Sequence, residues 1–313
     1  MNAHFADRLH ERIEARATRL CVGLDPDIDR FPLELLRRFK LDATRSAAPD
    51  DDYALRVGDC LEAFCLEVVD VVEDLACAVK PQSAHFEAYG PQGVRALATV
   101  CRHARKRGLP VILDAKRNDI GSTAQRYAAA YLAPDKGPNQ APFACDALTI
   151  TPFLGEDGVK PFVEACAANG KGLFILVRTS NPSGAQVQDL RIAESGETVA
   201  ERLASLVAAW GRDLVGESGY SSIGAVVGAT QAWEIAGLRE RMPQALLLLP
   251  GFGAQGATAE DVRHAFDSKG LGAIVNSSRG VLYPCGPEAP DYFGKVRAAA
   301  LAARATIQEL IRM

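Results

Sequence analysis

PVILDAKRNDIGSTAQRYAAAY, residues 110–131, passes from an apolar run into a cluster of charge and then into a helix-like segment. Val111, Ile112 and Leu113 have the character of a buried strand, and Asp114, Lys116, Arg117 and Asp119 follow within six positions. A strand that hands over to a helix through ionisable residues is the repeating unit of an α/β fold, in which sites gather at the C-terminal ends of the strands.

Similar units recur along the 313 residues. Near-continuous apolar runs at 19–25, 76–82, 110–116, 146–153, 172–180, 223–230, 245–253 and 271–278 predict parallel strands covered on both faces. Between them, stretches such as LRVGDCLEAFCLEVVDVVEDL and VAERLASLVAAWGRDLV space their apolar residues at three and four, as helices do. Eight strands alternating with helices predict an α/β fold of the (β/α)8 TIM barrel type. The rival, an open doubly wound sheet, would carry a glycine-rich dinucleotide turn after the first strand. The chain has GLDPDIDRF there. A single barrel domain is expected over 1–313, with an N-terminal helix marked by Phe5, Leu9 and Ile13 and with loop insertions near 26–53 and 181–197.

Composition narrows the function classes. A net charge of −4 gives no domain-wide basic excess, so no nucleic-acid partner is expected. No apolar run reaches the roughly 18 residues that suggest a membrane helix, and the first residues lack a signal-peptide core. The eight cysteines are scattered without a C-x-x-C pair. Together these predict a cytoplasmic protein in a reducing compartment. The five histidines are dispersed and no ligand cluster stands out, so no metal is expected.

Strand alternation places Asp114 and Lys116 on one face, with Cα atoms roughly 6.5 Å apart at about 3.3 Å per residue. Lys80 ends the second apolar run and Asp25 the first. Lys80, Asp114, Lys116 and Asp119 alternate in sign, as one paired network would, because buried charges need partners. A buried ion set is often no more stabilising than apolar packing of the same volume, which favours chemistry. A structural ion network, with Asp119 capping the following helix, stays open at this point. The last two strand ends differ: PGFGAQGA supplies Gly251, Gly253 and Gly256, and NSSRG supplies Ser277, Ser278 and Arg279. Glycines let backbone N–H groups approach an anion, Arg offers a fork for phosphate oxygens, and loops after the seventh and eighth strands are the usual phosphate site of such barrels. Tight turns and a solvated Arg are the plain alternative. The two ends together predict a small phosphorylated substrate with its reacting part over the Lys/Asp cluster.

CVGLDP, VKPQSAHFEAYG, ILDAKRNDIGSTA, TPFLG, RTSNPSG, PGFGAQG and VNSSRG occur in this order at the strand ends. In these segments the chain resembles the orotidine 5′-monophosphate decarboxylase family, in particular its longer bacterial (type 2) branch. The resemblance implies cofactor-free decarboxylation of orotidine 5′-monophosphate to uridine 5′-monophosphate in pyrimidine biosynthesis. It further implies that Lys116 protonates the ring carbanion, that Asp114 lies beside the departing carboxylate, and that Lys80 holds the network and a ribose hydroxyl. By the same resemblance Asp25 binds ribose, Ser180 the pyrimidine edge, and Gln255 with Arg279 the phosphate. It implies a homodimer with shared sites, in which Asp119, Ile120 and Thr123 reach the neighbour's substrate. The loops after the fifth and seventh strands are the expected lids. Two other readings are a Mg²⁺-dependent sugar-phosphate decarboxylase, which shares D-x-K-x-x-D, and a non-catalytic phosphoribosyl-ligand sensor. KPQSAHFEAYG and PGFGAQG speak against the first.

Overall fold

In the computed structural model, residues 4–42, 52–135, 140–228, 232–250 and 262–312 are described. The first half runs α1 (Phe5–Arg16), β1 (Leu20–Leu24), α2 (Leu33–Arg38), α3 (Tyr53–Val72), β2 (Ala78–Pro81), α4 (Ser83–Glu87), α5 (Gly90–Lys106), β3 (Ile112–Arg117) and α6 (Gly121–Leu132). Then follow β4 (Ala147–Ile150), α7 (Glu156–Asn169), β5 (Gly172–Arg178), α8 (Ala185–Gln188), α9 (Val199–Gly211), β6 (Ser221–Val227), α10 (Ala232–Arg241), β7 (Ala245–Leu249), β8 (Ala273–Ser277), α11 (Arg279–Leu282) and α12 (Tyr292–Arg312). The strands pair in parallel in the order β2-β1-β8-β7-β6-β5-β4-β3. Bridges from Val79 to Val111 and from Gln82 to Asp114 bring the two ends of that order together, so the sheet curls into the expected barrel.

The continuous apolar runs split by period two into two cores. Leu20, Val22 and Leu24 of β1, Leu113 of β3, Leu173 and Ile175 of β5, and Leu247 and Leu249 of β7 join the layer between strands and helices. Their neighbours Cys21, Ile112, Phe174, Leu246, Leu248 and Ile274 form a second cluster with Phe5, Leu9 and Ile13 of α1. Alternate residues of a strand face opposite sides, so this second cluster is the barrel interior, and α1 stops its N-terminal end. Phe5 meets Phe174 edge-on with ring centroids 6.1 Å apart. A side chain at Gly172 would collide with the Phe5 ring, which is why β5 starts on glycine. Ala17, with φ 47°, ends α1 in the left-handed conformation.

One expectation needs adjustment. The insertion at 181–197 is folded rather than irregular: a helical turn at Pro182–Gly184 leads into α8, and Arg191 bridges to Thr198, the capping-box residue of α9. Of the insertion at 26–53, residues 43–51 lie outside the described residues. All eight cysteines are free thiols. Among the described residues, no helix is long and apolar enough to cross a membrane.

Candidate active site

Following the inward-facing positions toward the C-terminal ends of the strands leads out of the apolar interior into polar groups. On β2 the inward Ala78 is followed by Lys80, on β3 Ile112 by Asp114, on β4 Ala147 by Thr149, and on β8 Ile274 by Asn276. Lys80, Asp114, Thr149 and Asn276 are buried, yet all four line a cavity of about 680 Å³ together with Asp25, Lys116, Ser180 and Arg279.

Asp114 is the hub. Its Oδ2 accepts from Lys80 Nζ at 2.6 Å and from Gln82 Nε2 at 3.1 Å. Its Oδ1 accepts from Lys116 Nζ at 2.6 Å and from Thr149 Oγ1 at 2.9 Å. Burial would push this carboxyl up, but Lys80 and Lys116 outweigh it and hold it well below the usual carboxylate range. Burial likewise works against the Lys80 ammonium, while Asp114 and Asp25 overcompensate and raise it. Both groups therefore stay charged at neutral pH. Asp114→Asn keeps the volume and leaves Lys80, with only 6% of its side chain exposed, short of its counter-charge. The expected cost is about 3–5 kcal/mol of stability, visible as a lower urea midpoint at unchanged m value. Because the carboxyl is held below its unfolded value, its contribution is complete above about pH 4 and is lost as the pH falls toward the folded value.

Lys116 reaches this position by a route the simple alternation did not foresee. The pairing of β3 with β4 shifts register between Leu113 and Arg117, and Lys116 has φ 47°. Asp114 and Lys116 do converge on one cavity, but across a bulge rather than along a regular strand. Arg117 turns away and donates to Tyr131 and Glu87.

The remaining site residues fall into three groups. Asp25, Ser180 and Arg279 line the same cavity as the Lys/Asp cluster. Among the described residues, Asp25 Oδ1 and Asn276 Oδ1 are buried acceptors without a hydrogen-bond partner, a pairing suited to donors on a bound molecule. Ser180 is held from two sides. Gly228 packs so closely that an added Cβ would lie 2.7 Å from the Ser180 nitrogen, and the preceding Thr179 is clamped by the Gln188 amide through bonds of 3.0 and 2.8 Å. Asp119, Ile120 and Thr123 form the second group and are not among the residues lining this chain's own cavity. Asp119 accepts from the adjacent Ile120 amide at 2.8 Å, and α6 has no side-chain cap, so the capping alternative is not realised. Ile120 is 53% exposed, and the β4 loop nearby carries Phe153, 83% exposed, and the half-exposed Leu154. Gln255 and the glycines at 251, 253 and 256 lie outside the described residues.

Gln82, Thr149 and Asn276 were not singled out from sequence. The signal was available for two of them: Thr149 and Asn276 continue the inward positions of β4 and β8 at the level of Asp114 and Lys80.

A family model described as orotidine 5′-phosphate decarboxylase / HUMPS family matches residues 18–289. The chain is 44% identical over 279 residues to the orotidine 5′-phosphate decarboxylase of Rhodopirellula baltica, covering 89% of this chain and 88% of that relative. It is 42% identical over 306 residues to the enzyme of the same name from Deinococcus radiodurans, covering 97% of each. Among solved structures, the Leishmania donovani OMP decarboxylase matches with a TM-score of 0.73 at 28% identity, over 99% of this chain and 100% of that one.

Proposed function

The chain belongs to the orotidine 5′-phosphate decarboxylase / HUMPS family, and we propose on that basis that it is a carboxy-lyase converting orotidine 5′-monophosphate to uridine 5′-monophosphate and CO2 in pyrimidine biosynthesis. The observation that carries the mechanism is the Lys80–Asp114–Lys116 array at the inward end of the barrel. The carbon–carbon bond to the substrate carboxylate breaks, the electron pair stays on the ring carbon, and CO2 departs. Lys116 Nζ faces the developing charge as a fixed cation and then gives that carbon a proton, recovering one from solvent. Its side chain is 46% exposed and lines the cavity, so it has access to both substrate and water. A preorganised ammonium supplies the stabilisation that a cofactor would otherwise provide, so the reaction is read as cofactor-free. Asp114, anchored by four donors, sets a negative charge beside the substrate carboxylate, and that repulsion is relieved as CO2 leaves.

Asp25, with its unpartnered Oδ1, takes ribose hydroxyls together with Lys80. Ser180 reads the pyrimidine edge, and Arg279 with Gln255 binds phosphate. Arg279→Ala is expected to cost roughly 1.5–3 kcal/mol, about 10- to 150-fold in kcat/KM, with little effect on orotidine that lacks the phosphate. An equal loss on both substrates would remove Arg279 from the phosphate site.

The site is completed in a homodimer. Asp119, Ile120 and Thr123 are not among the residues lining this chain's cavity, and the exposed apolar group of Ile120, Phe153 and Leu154 beside them is a surface that a second copy would cover.

The decisive experiment follows the absorbance of orotidylate with purified protein, before and after EDTA. Turnover that survives chelation is expected. Tight binding of uridine monophosphate without turnover would make the protein a sensor. Activity lost to EDTA and restored by Mg²⁺ would overturn the cofactor-free reading.

A further inference from the structure

We infer that Thr149 is the positioning residue for Lys116, gripping the lysine at both ends through one hydroxyl. The inference rests on the reading of Lys116 as proton donor.

The argument begins with the bulge. Where β3 leaves its register, the amides of Ala115 and Lys116 lose their ladder partners, and buried or half-buried N–H groups left unpaired are costly. Both donate to Thr149 Oγ1, each at 3.0 Å. The same hydroxyl donates its own hydrogen to Asp114 Oδ1 at 2.9 Å. A hydroxyl has one donor and two acceptor sites, so Thr149 is saturated, and its 1% exposure leaves no water to substitute. Asp114 Oδ1 also accepts from Lys116 Nζ. The contacts close a ring: Lys116 amide to Thr149, Thr149 to Asp114, Asp114 to Lys116 ammonium. Backbone and side-chain tip of one residue are thus referred to a single oxygen on β4.

A ring is needed because of the backbone. Lys116 sits at φ 47°, a region that L-residues other than Asn and Asp seldom occupy and that persists only where surroundings over-determine it. Without the two amide bonds the chain would relax toward an ordinary strand conformation and swing the ammonium away from Asp114. The inward position on β4 suits the task, since Ala147 below it belongs to the apolar interior, and Thr149 is where that column turns polar.

Three measurements test this. Thr149→Val keeps the branched shape and removes the hydroxyl. It is expected to lower kcat on the order of 100-fold, the scale of an ångström-sized misplacement, with uridine monophosphate affinity changed far less. Amide hydrogen exchange at 115 and 116 should accelerate. Thr149→Ser, which keeps the oxygen, should restore slow exchange and most of kcat. If the valine protein does not fold, Thr149→Cys takes its place and must show the same kcat loss, because a thiol is a weak donor and acceptor. The inference is overturned by wild-type kcat in the hydroxyl-free variant, by a serine variant as damaged as the valine one, or by unchanged exchange at 115 and 116. Failure of the underlying reading looks different: Lys116→Ala would retain turnover while exchange in Thr149→Val still accelerated.

Discussion

Lys116→Ala loses turnover by about 10⁴-fold or more while still binding uridine monophosphate. The size follows from two separable roles. A positioned proton donor is typically worth about 10²–10⁴ in rate, and one preorganised charge facing the developing anion adds about 10²–10³. Neither depends on ground-state affinity, so the loss belongs in kcat with KM changed much less. Removing the ammonium also deletes one of the four donors on Asp114, but Lys80, Gln82 and Thr149 keep the carboxylate in place. The fold therefore survives, and inactivity is not the trivial result of unfolding. Steady-state kinetics on orotidylate and titration with the product check both halves. A variant that turns over at the wild-type rate but binds weakly would remove Lys116 from the chemistry.

The second large effect is recovery of activity by mixing two inactive proteins. Lys116→Ala lacks the donor within its own cavity, and Asp119→Ala lacks the carboxylate it should lend to its neighbour. In a mixed dimer, the site on the Asp119→Ala subunit has its own Lys116 and receives Asp119 from its partner. Equal mixing with free subunit exchange makes half the dimers mixed, each with one intact site, so about a quarter of wild-type activity should return, as a two-fold dimer requires. The expectation rests on the absence of Asp119 from the lining of its own chain's cavity and on its place beside the exposed Ile120, Phe153 and Leu154. Exchange is verified independently with differently tagged subunits. No recovery among proven mixed dimers would mean that each subunit completes its own site.

The barrel was legible because its strands write two cores into one run. Leu113 faces the helices while Ile112 faces the interior, so VIL looks uniformly apolar and predicts a strand covered on both sides. Lys80 and Asp114 were legible for the complementary reason: charge is conspicuous at the end of such a run. What stayed hidden involves ordinary residue types. Nothing in a lysine announces a left-handed backbone, so the bulge at Lys116 could not be anticipated from DAK. Thr149 sits in DALTITPF as an unremarkable strand threonine, and its three bonds exist only once β3 and β4 lie side by side. The clamp of Gln188 on Thr179 joins residues nine apart across a segment that reads only as a loop insertion in the sequence.

The stopper at the N-terminal end has a consequence for traffic. Phe5, Leu9 and Ile13 are completely or almost completely shut off from water and fill the interior beneath the polar cluster. The barrel is thus a blind tube. Under the proposed function orotidylate enters, and uridylate and CO2 leave, through the mouth formed by the C-terminal strand ends. Under the proposed mechanism the gas is released at the deep end, next to Asp114, with the nucleotide above it. Its escape and the departure of the nucleotide are then coupled events, and a slow exit of the nucleotide would hold back the next cycle however fast the bond breaks.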